Sequence, residues 1–194
     1  MVGGNVSLYN EGGGGPIYPT PVVGMVGELP DPARSGRLGF SAAGDAVALI
    51  SASWRPSEVG SELAKLRGDA LEGALPSADL GALKALHAAV RQAVRSGALR
   101  SAHDVAEGGV AVALAECCIA GGLGARVEPA DLPLFAEGPG AFVVSGPRAA
   151  MTAFGAAAQV IGEVGGEALA IAGALEIPVA ELIRVHAEGL AGML

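Results

Sequence analysis

The run from Ala46 to Ala52, Ala-Val-Ala-Leu-Ile-Ser-Ala, constrains the fold of this chain more than any other stretch. The Gly44-Asp45 turn precedes it, and every residue except Ser51 is apolar. A strand that faces water on one side alternates apolar and polar residues, whereas a continuous apolar run indicates burial on both faces. We therefore expect a strand in a sheet that is covered on both sides.

The rest of the chain predicts a mixture of helices and strands. Apolar stripes, glycine stops and proline starts predict helices over residues 60–67, 79–97, 109–120 and 147–157, and from 178 onward. Further strands are expected over residues 21–29, 99–104, 124–128, 140–145, 159–164 and 167–172, the last two as a hairpin around Gly165-Gly166. Because the two kinds of element do not alternate strictly, we predict an α+β fold, a mixed sheet with packed helices.

Composition limits the core and the partners. Hydrophobic residues make up 51% of the chain but aromatic residues only 4%, so Ala, Val, Leu and Ile must fill the core. The formal net charge of −8 argues against a nucleic-acid surface or an anionic membrane as partner, although backbone amides and a metal can still hold a phosphate. The start has no signal-peptide pattern, and no apolar run reaches about 20 residues, so we expect a cytoplasmic protein.

The two cysteines, Cys117 and Cys118, are adjacent in an alanine-rich helical pattern. Neighbouring side chains on a helix point about 100° apart, so a disulfide between them is not expected. We interpret both as small buried hydrophobic residues.

The polar chemistry of the chain is concentrated near its start, in Gly3-Gly4-Asn5-Val6-Ser7-Leu8-Tyr9-Asn10-Glu11. The glycines allow the backbone to approach a ligand closely, and Asn5 and Ser7 supply side-chain oxygens and donors. Backbone N–H groups suit a phosphate and oxygen ligands suit a hard cation, so we predict a loop that binds both. We expect the glycine- and proline-rich residues 1–19 to form an arm outside the folded body.

Two further polar clusters interrupt the apolar background. In the string Ser101-Ala102-His103-Asp104-Val105-Ala106-Glu107-Gly108-Gly109, a strand end delivers His103 and Asp104 to the start of a helix. A helix start favours an anion or a metal–phosphate ligand, so Asp104 is a candidate Mg²⁺ ligand and His103 a candidate phosphate donor. Alternatively, Asp104 caps the helix and His103 packs beside it. In the later loop Leu134–Gly140, Glu137 is the ionisable group, and a solvated turn is the alternative to a ligand site.

Three strings together resemble the second half of phosphoribosylformylglycinamidine synthase: Gly4-Asn5-Val6-Ser7-Leu8-Tyr9-Asn10-Glu11, Tyr18-Pro19-Thr20-Pro21 and Ser101-Ala102-His103-Asp104-Val105. The resemblance runs in order over essentially the whole chain, and it fits the small bacterial synthetase subunit or the matching region of the large single-chain form. The family belongs to the aminoimidazole-ribonucleotide-synthetase-like superfamily. The resemblance implies that residues 1–19 end an ATP-binding N-terminal-type domain and that residues 20–194 form a C-terminal-type α+β domain of that superfamily.

The resemblance also implies a ligase of purine biosynthesis. The family converts formylglycinamide ribonucleotide to formylglycinamidine ribonucleotide with ATP and glutamine-derived ammonia. ATP activates the formyl amide oxygen as an iminophosphate, which ammonia then displaces. Such catalysis depends on the placement of charge around the phosphoryl group, and Mg²⁺ accompanies the ATP substrate.

The family's motifs imply roles for single residues. Gly4 would contact ATP, Asn5 would hold Mg²⁺ and Ser7 would bind the ribonucleotide substrate. Asp104 occupies the place of a magnesium-binding aspartate in the family's first half. Together with His103 it is a candidate for a vestigial nucleotide or metal site.

The family's catalytic histidine and most of its ATP and substrate contacts have no match in this chain. We therefore expect a C-terminal fragment that is inactive alone. The partners that the resemblance implies are the missing N-terminal part of the synthetase, the glutaminase subunit and a small bridging subunit. A domain that only packs and assembles, or another ATP-dependent member of the superfamily, is the alternative.

Overall fold

The computed structural model describes residues 1–6, 8–17, 20–70, 72–129 and 131–189. It divides the chain into two units, residues 1–30 and residues 31–194, which we call the opening segment and the body. The domain boundary that we expect after residue 19 stays a prediction. Among the described residues, no helix is long and apolar enough to span a membrane.

A short hairpin follows the predicted loop in the opening segment. Strand β1 (Glu11–Gly12) pairs antiparallel with β2 (Gly15–Pro16). Between them, Gly13 and Gly14 have φ of +60° and +90°. A type I′ two-residue hairpin turn requires positive φ at both positions, and glycine adopts it without steric cost.

The prediction of a strand over residues 21–29 is wrong. No strand forms there, and large side chains such as Val22 and Met25 are exposed. An apolar, β-favouring sequence becomes a strand only where a neighbouring strand pairs with it, and this stretch has no such neighbour among the described residues.

The body is built on a mixed sheet, as predicted. Its described strands are β3 (Ala46–Ser51), β4 (Ser101–Asp104), β5 (Ala125–Val127), β6 (Ala141–Gly146), β7 (Ala158–Val164), β8 (Ala168–Ile171) and β9 (Leu175–Pro178). Across the sheet they run in the order β4-β6-β3-β7-β5-β8-β9. Neighbouring strands are antiparallel except β5 and β8, which are parallel.

The helices of the body lie close to where the sequence predicts them. They are α1 (Glu62–Arg67), α2 (Leu80–Arg95), α3 (Gly109–Gly121), α4 (Arg148–Met151) and α5 (Val179–Glu188). The start of α2 is capped by Asp79, whose Oδ1 accepts a hydrogen bond from the N–H of Ala82 at 3.0 Å. The helix predicted over residues 147–157 is shorter. After α4 the chain continues as a 3-10 helix, within which Gly155, at φ +54°, breaks the helical path.

Helices cover both faces of β3, as its apolar run predicts. Val47 and Leu49 belong to one buried cluster with residues of α3. Ala48 and Ile50 belong to a second buried cluster with Val90 of α2. Successive side chains of a strand point to opposite faces, so the run supplies two cores at once. Full burial of an aliphatic side chain contributes about 1.5–3 kcal/mol relative to exposure.

The prediction that the strands around Gly165-Gly166 pair as a hairpin is wrong. β7 pairs with β3 and β5, and β8 pairs with β5 and with the unpredicted strand β9, so β5 lies between the two. The N–H of Gly165 donates to the carbonyl of Gly124 at 2.8 Å, just before β5 begins. An ideal Cβ on Gly124 would lie 2.2 Å from the carbonyl oxygen of Ala168. Only glycine therefore lets the start of β5 enter this gap without displacing a neighbouring strand.

Cys117 and Cys118 are buried free thiols in α3, as we expect. Burial raises the pKa of the Cys118 thiol to about 12. Burial also raises the pKa of Cys117, and the neighbouring Cys118 and Glu116 raise it further.

The raised pKa values of the two thiols predict that the protein loses stability at alkaline pH. An unfolded cysteine titrates at about pH 8.5, so above this value the unfolded chain releases protons that the folded chain retains. The free energy of unfolding then falls as the pH rises, by up to about 1.4 kcal/mol per pH unit for each cysteine. Below that range these two groups contribute no pH dependence.

Urea unfolding between about pH 7 and 10 measures this effect in the wild type and in Cys118→Ala. We expect the variant to show a smaller alkaline slope. Leu114→Ala, which empties part of the same core without removing a titrating group, should keep the wild-type slope. Equal slopes in the wild type and Cys118→Ala would contradict the buried, protonated state of Cys118.

Candidate functional site

The described residues of the predicted opening loop are exposed. Gly4 and Asn5 are open to solvent, and an ideal Cβ on Gly4 would meet no heavy atom of a described residue within 4 Å. Ser7, the predicted substrate contact, lies outside the described residues. The N–H of Ile17 donates to the carbonyl of Asn10 at 3.0 Å and so extends the adjacent hairpin. The loop therefore presents the Asn5 amide to solvent, where its oxygen can serve as one ligand of a hard cation.

β4 ends at the second polar cluster and delivers His103 and Asp104 next to each other. His103 Nε2 lies 2.8 Å from Oε2 of Glu116 on α3, and His103 Nδ1 lies 3.3 Å from Asp104 Oδ1. The side chain of His103 is 13% exposed, whereas that of Asp104 is 68% exposed. His103 thus links the end of β4 to α3. A phosphate that bound its imidazole would have to displace one of the two carboxylates.

Glu137 supplies the negative charge at the loop that leads into α3, where we expected an anion. Gly108 is the N-cap of α3 and no side chain caps the helix, so the alternative that Asp104 caps it is wrong. The N–H of Gly108 donates to Glu137 Oε1 at 2.8 Å. The N–H of Glu62, at the start of α1, donates to the same oxygen at 2.8 Å. One half-buried carboxylate thereby ties the start of α3 to the start of α1.

A cavity of about 510 Å³ joins the second and third polar clusters. Asp104, Glu107 and Glu137 line it, and among the residues that the structure describes no basic one does. A neighbouring cavity of about 420 Å³ shares Asp104 and adds His87 and Phe142, whose rings meet edge to face. Like charges repel more strongly where water is partly excluded, so a phosphate would enter this acidic cavity only together with a cation.

Asp104 offers one exposed carboxylate to such a cation. Within the described ranges, no group of three or more His, Cys, Asp or Glu side chains is arranged to hold a metal ion. Mg²⁺ commonly takes one or two carboxylates and completes its ligand set with water and substrate phosphates. Asp104 therefore fits as a single ligand of a set whose other members come from a bound phosphate, from water or from another chain.

Residues 42–172 match the family described as AIR synthase related protein, C-terminal domain. This chain belongs to that family. The match extends from before β3 to the end of β8, so it includes His103, Asp104 and Glu137, while the opening loop precedes it.

Similar proteins extend the match to the opening loop. Phosphoribosylformylglycinamidine synthase subunit PurL from Anaeromyxobacter sp. (strain Fw109-5) is 42% identical over 100% of this chain and 28% of its own length. The subunit of the same name from Moorella thermoacetica is 43% identical over 88% of this chain and 25% of its own length. The resemblance to the phosphoribosylformylglycinamidine synthase family is thereby confirmed. The chain spans about a quarter of the length of these relatives.

Solved structures confirm the fold. The match to Thermotoga maritima PurL complexed with FGAR covers 78% of this chain and 30% of the PurL chain, with a TM-score of 0.63 and 22% identity. The match to PurL of the same organism complexed with ATP covers 78% of this chain and 28% of that one, with a TM-score of 0.61 and 19% identity. At such identities the similarity is one of fold, and it agrees with the predicted mixed sheet with packed helices of a C-terminal domain in this superfamily.

The contacts of Glu137 predict a stability effect that its neighbours do not share. Glu137→Ala removes the shared acceptor of two backbone N–H groups, and a hydrogen bond to a charged group contributes about 1.5–3 kcal/mol. We expect the free energy of unfolding to fall by about 3 kcal/mol, and by less in Glu137→Gln, whose amide oxygen still accepts.

Chemical denaturation measures both variants against Glu107→Ala. Glu107 lines the same cavity but is exposed, so its replacement should change the free energy of unfolding by less than about 0.5 kcal/mol. Equal effects of Glu137→Ala and Glu107→Ala would contradict the bridging role of Glu137.

Proposed function

We propose that this chain is the C-terminal portion of the synthetase subunit of phosphoribosylformylglycinamidine synthase, an ATP-dependent ligase of purine biosynthesis. The observation that carries the proposal is the 42% identity to a PurL subunit over 100% of the chain, because this match includes the opening loop as well as the body. A cytoplasmic location, expected from the sequence, belongs to the same proposal.

The proposed reaction of the complete protein is the amidation of formylglycinamide ribonucleotide with ammonia derived from glutamine. ATP phosphorylates the formyl amide oxygen, and ammonia then displaces the phosphate to give formylglycinamidine ribonucleotide. The complexes of T. maritima PurL with FGAR and with ATP support this choice of substrates. The protein's task in such a reaction is to position the reactants and to offset the charge that develops on the phosphoryl group.

The opening loop is the proposed contribution of this chain to that site. Gly4 lets the backbone approach the phosphates of ATP, since no neighbouring atom fills the space beside it. Asn5 contributes one amide oxygen to Mg²⁺, which would balance phosphate charge when bound, and Ser7 binds the ribonucleotide. An exposed amide oxygen fits such a shared ligand set, whose other members are phosphate oxygens, water and groups outside this chain.

The body has a mainly structural part in this proposal. Glu137 already occupies the N–H group of Gly108 that would otherwise attract an anion, and Asp104 and His103 remain as a vestigial nucleotide or metal site. These contacts favour the second candidate function for the body, a non-catalytic domain that packs and assembles. The proposed partners are the remainder of the synthetase, a glutaminase subunit and a small bridging subunit. A structural neighbour described as PurLQS from T. maritima supports the presence of further subunits.

Complementation tests the role of the opening loop. The missing N-terminal part of the synthetase, supplied as a separate chain, should restore ATP-dependent amidation when mixed with this chain and ammonia. Asn5→Ala should lower the restored rate by about 100-fold, since loss of one electrostatic contact to a transferring phosphoryl group commonly costs this much.

Asn10→Ala is the matched control, because Asn10 has the same side chain in the same loop and its hydrogen bond from Ile17 uses only the backbone carbonyl. Its restored rate should stay within about twofold of wild type, as is usual for an exposed substitution with no partner. Restored activity that Asn5→Ala leaves unchanged would contradict the site assignment and favour the purely structural function.

A further inference from the structure

Four arginines line one open cavity beside the end of α2. The cavity measures about 560 Å³, and Arg34, Arg37, Arg95 and Arg100 line it together with Ser41. No acidic residue of the described part of the chain lines it. The chain as a whole has a formal net charge of −8 and only 12 basic residues, so a third of its positive charge is gathered here. Like charges placed together cost free energy unless an anion neutralises them.

Arg37 is presented by a firmly held backbone, residues 36–40, which we call the strap. The N–H of Ala102 on β4 donates to the carbonyl of Arg37 at 3.0 Å. An ideal Cβ on Gly36 would lie 3.1 Å from a side-chain carbon of α2, and the N–H of Phe40 donates to a carbonyl of α3 at 3.0 Å. The strap is thus fixed to a strand and to two helices, and it gives Arg37 a rigid support.

Two of the four arginines are neutralised within the protein. Arg100 forms an ion pair with the buried carboxylate of Asp45. Arg34 Nε lies 3.2 Å from Asp31 Oδ2, and Asp31 also caps the short 3-10 helix before the strap. These pairs account for the presence of Arg34 and Arg100 without any ligand.

Arg37 and Arg95 have no such partner. Neither side chain makes a hydrogen bond or an ion pair with another described residue. Arg95 lies in the last turn of α2, where the helix dipole favours a cation. The dipole does not account for Arg37, which comes from the strap and faces the same cavity.

We propose that this cavity binds a small phosphate-bearing anion, a diphosphate by preference, through the guanidinium groups of Arg37 and Arg95. Guanidinium groups match phosphate oxygens in bidentate geometry, and a volume near 560 Å³ lies in the usual range of small-molecule sites. The proposal uses no residue of the opening segment and does not rest on the proposed function.

Isothermal titration of the chain with sodium pyrophosphate, without Mg²⁺, tests the proposal. We expect saturable binding at one site in the wild type. Arg37→Gln with Arg95→Gln should weaken it by about 100-fold, about tenfold for each charged hydrogen-bonding partner lost. Lys84→Gln with Arg91→Gln is the matched control, because it removes the same charge from exposed positions of α2 that do not line the cavity.

The control should change the affinity by no more than about twofold. Absence of saturable binding to the wild type would overturn the proposal. So would equal weakening in the two double variants, since net charge alone would then explain the binding. A parallel titration with ADP identifies the source of the diphosphate: equal affinity indicates the free anion, and tighter binding that the Arg37/Arg95 double variant weakens indicates a nucleotide.

Discussion

Burial of β3 on both faces is the constraint on which the rest of the body depends. A strand that meets water on neither face must pair its backbone groups on both edges, and β3 does so with β6 and β7. Its two faces need separate covering layers, which α3 and α2 supply. Because β4 pairs with the far edge of β6, the same arrangement fixes where His103 and Asp104 leave the sheet and where the strap is anchored.

Elements whose signal is local could be predicted from the sequence. The apolar run predicts β3, and the stripe after Asp79 predicts α2, because each pattern is complete within one element. The order of β5, β7 and β8 could not be predicted, because it depends on the close approach of Gly124 to Ala168, which are far apart in sequence. The prediction of a strand over the apolar residues 21–29 is wrong for a related reason, since a strand needs a partner that its own sequence does not specify.

The candidate site likewise contains some residues whose roles the sequence could predict and others whose roles it could not. Residue type and motif point to Asn5 and Asp104, whose oxygens suit cations wherever the fold places them. The role of Glu137 could not be predicted, because its two backbone partners lie 75 and 29 positions away in the sequence. The arginine cavity is likewise assembled from the short 3-10 helix, the strap, the end of α2 and the residues just before β4. Loop sequence alone gives no sign of such convergence.

Amide hydrogen exchange of the chain, alone and mixed with the N-terminal part of the proposed synthetase, is the most direct test of this account. It asks whether the body is a self-sufficient fold and whether the opening segment belongs to a site that other residues complete. Alone, β3, β6 and β7 should exchange slowest, whereas the described residues of the opening segment, nearly all of which are exposed, should exchange fast. The N-terminal part should then slow exchange around Gly4 and Asn5 and leave the body unchanged. Protection of the opening segment in the isolated chain, or no gain on mixing, would contradict this division of the molecule.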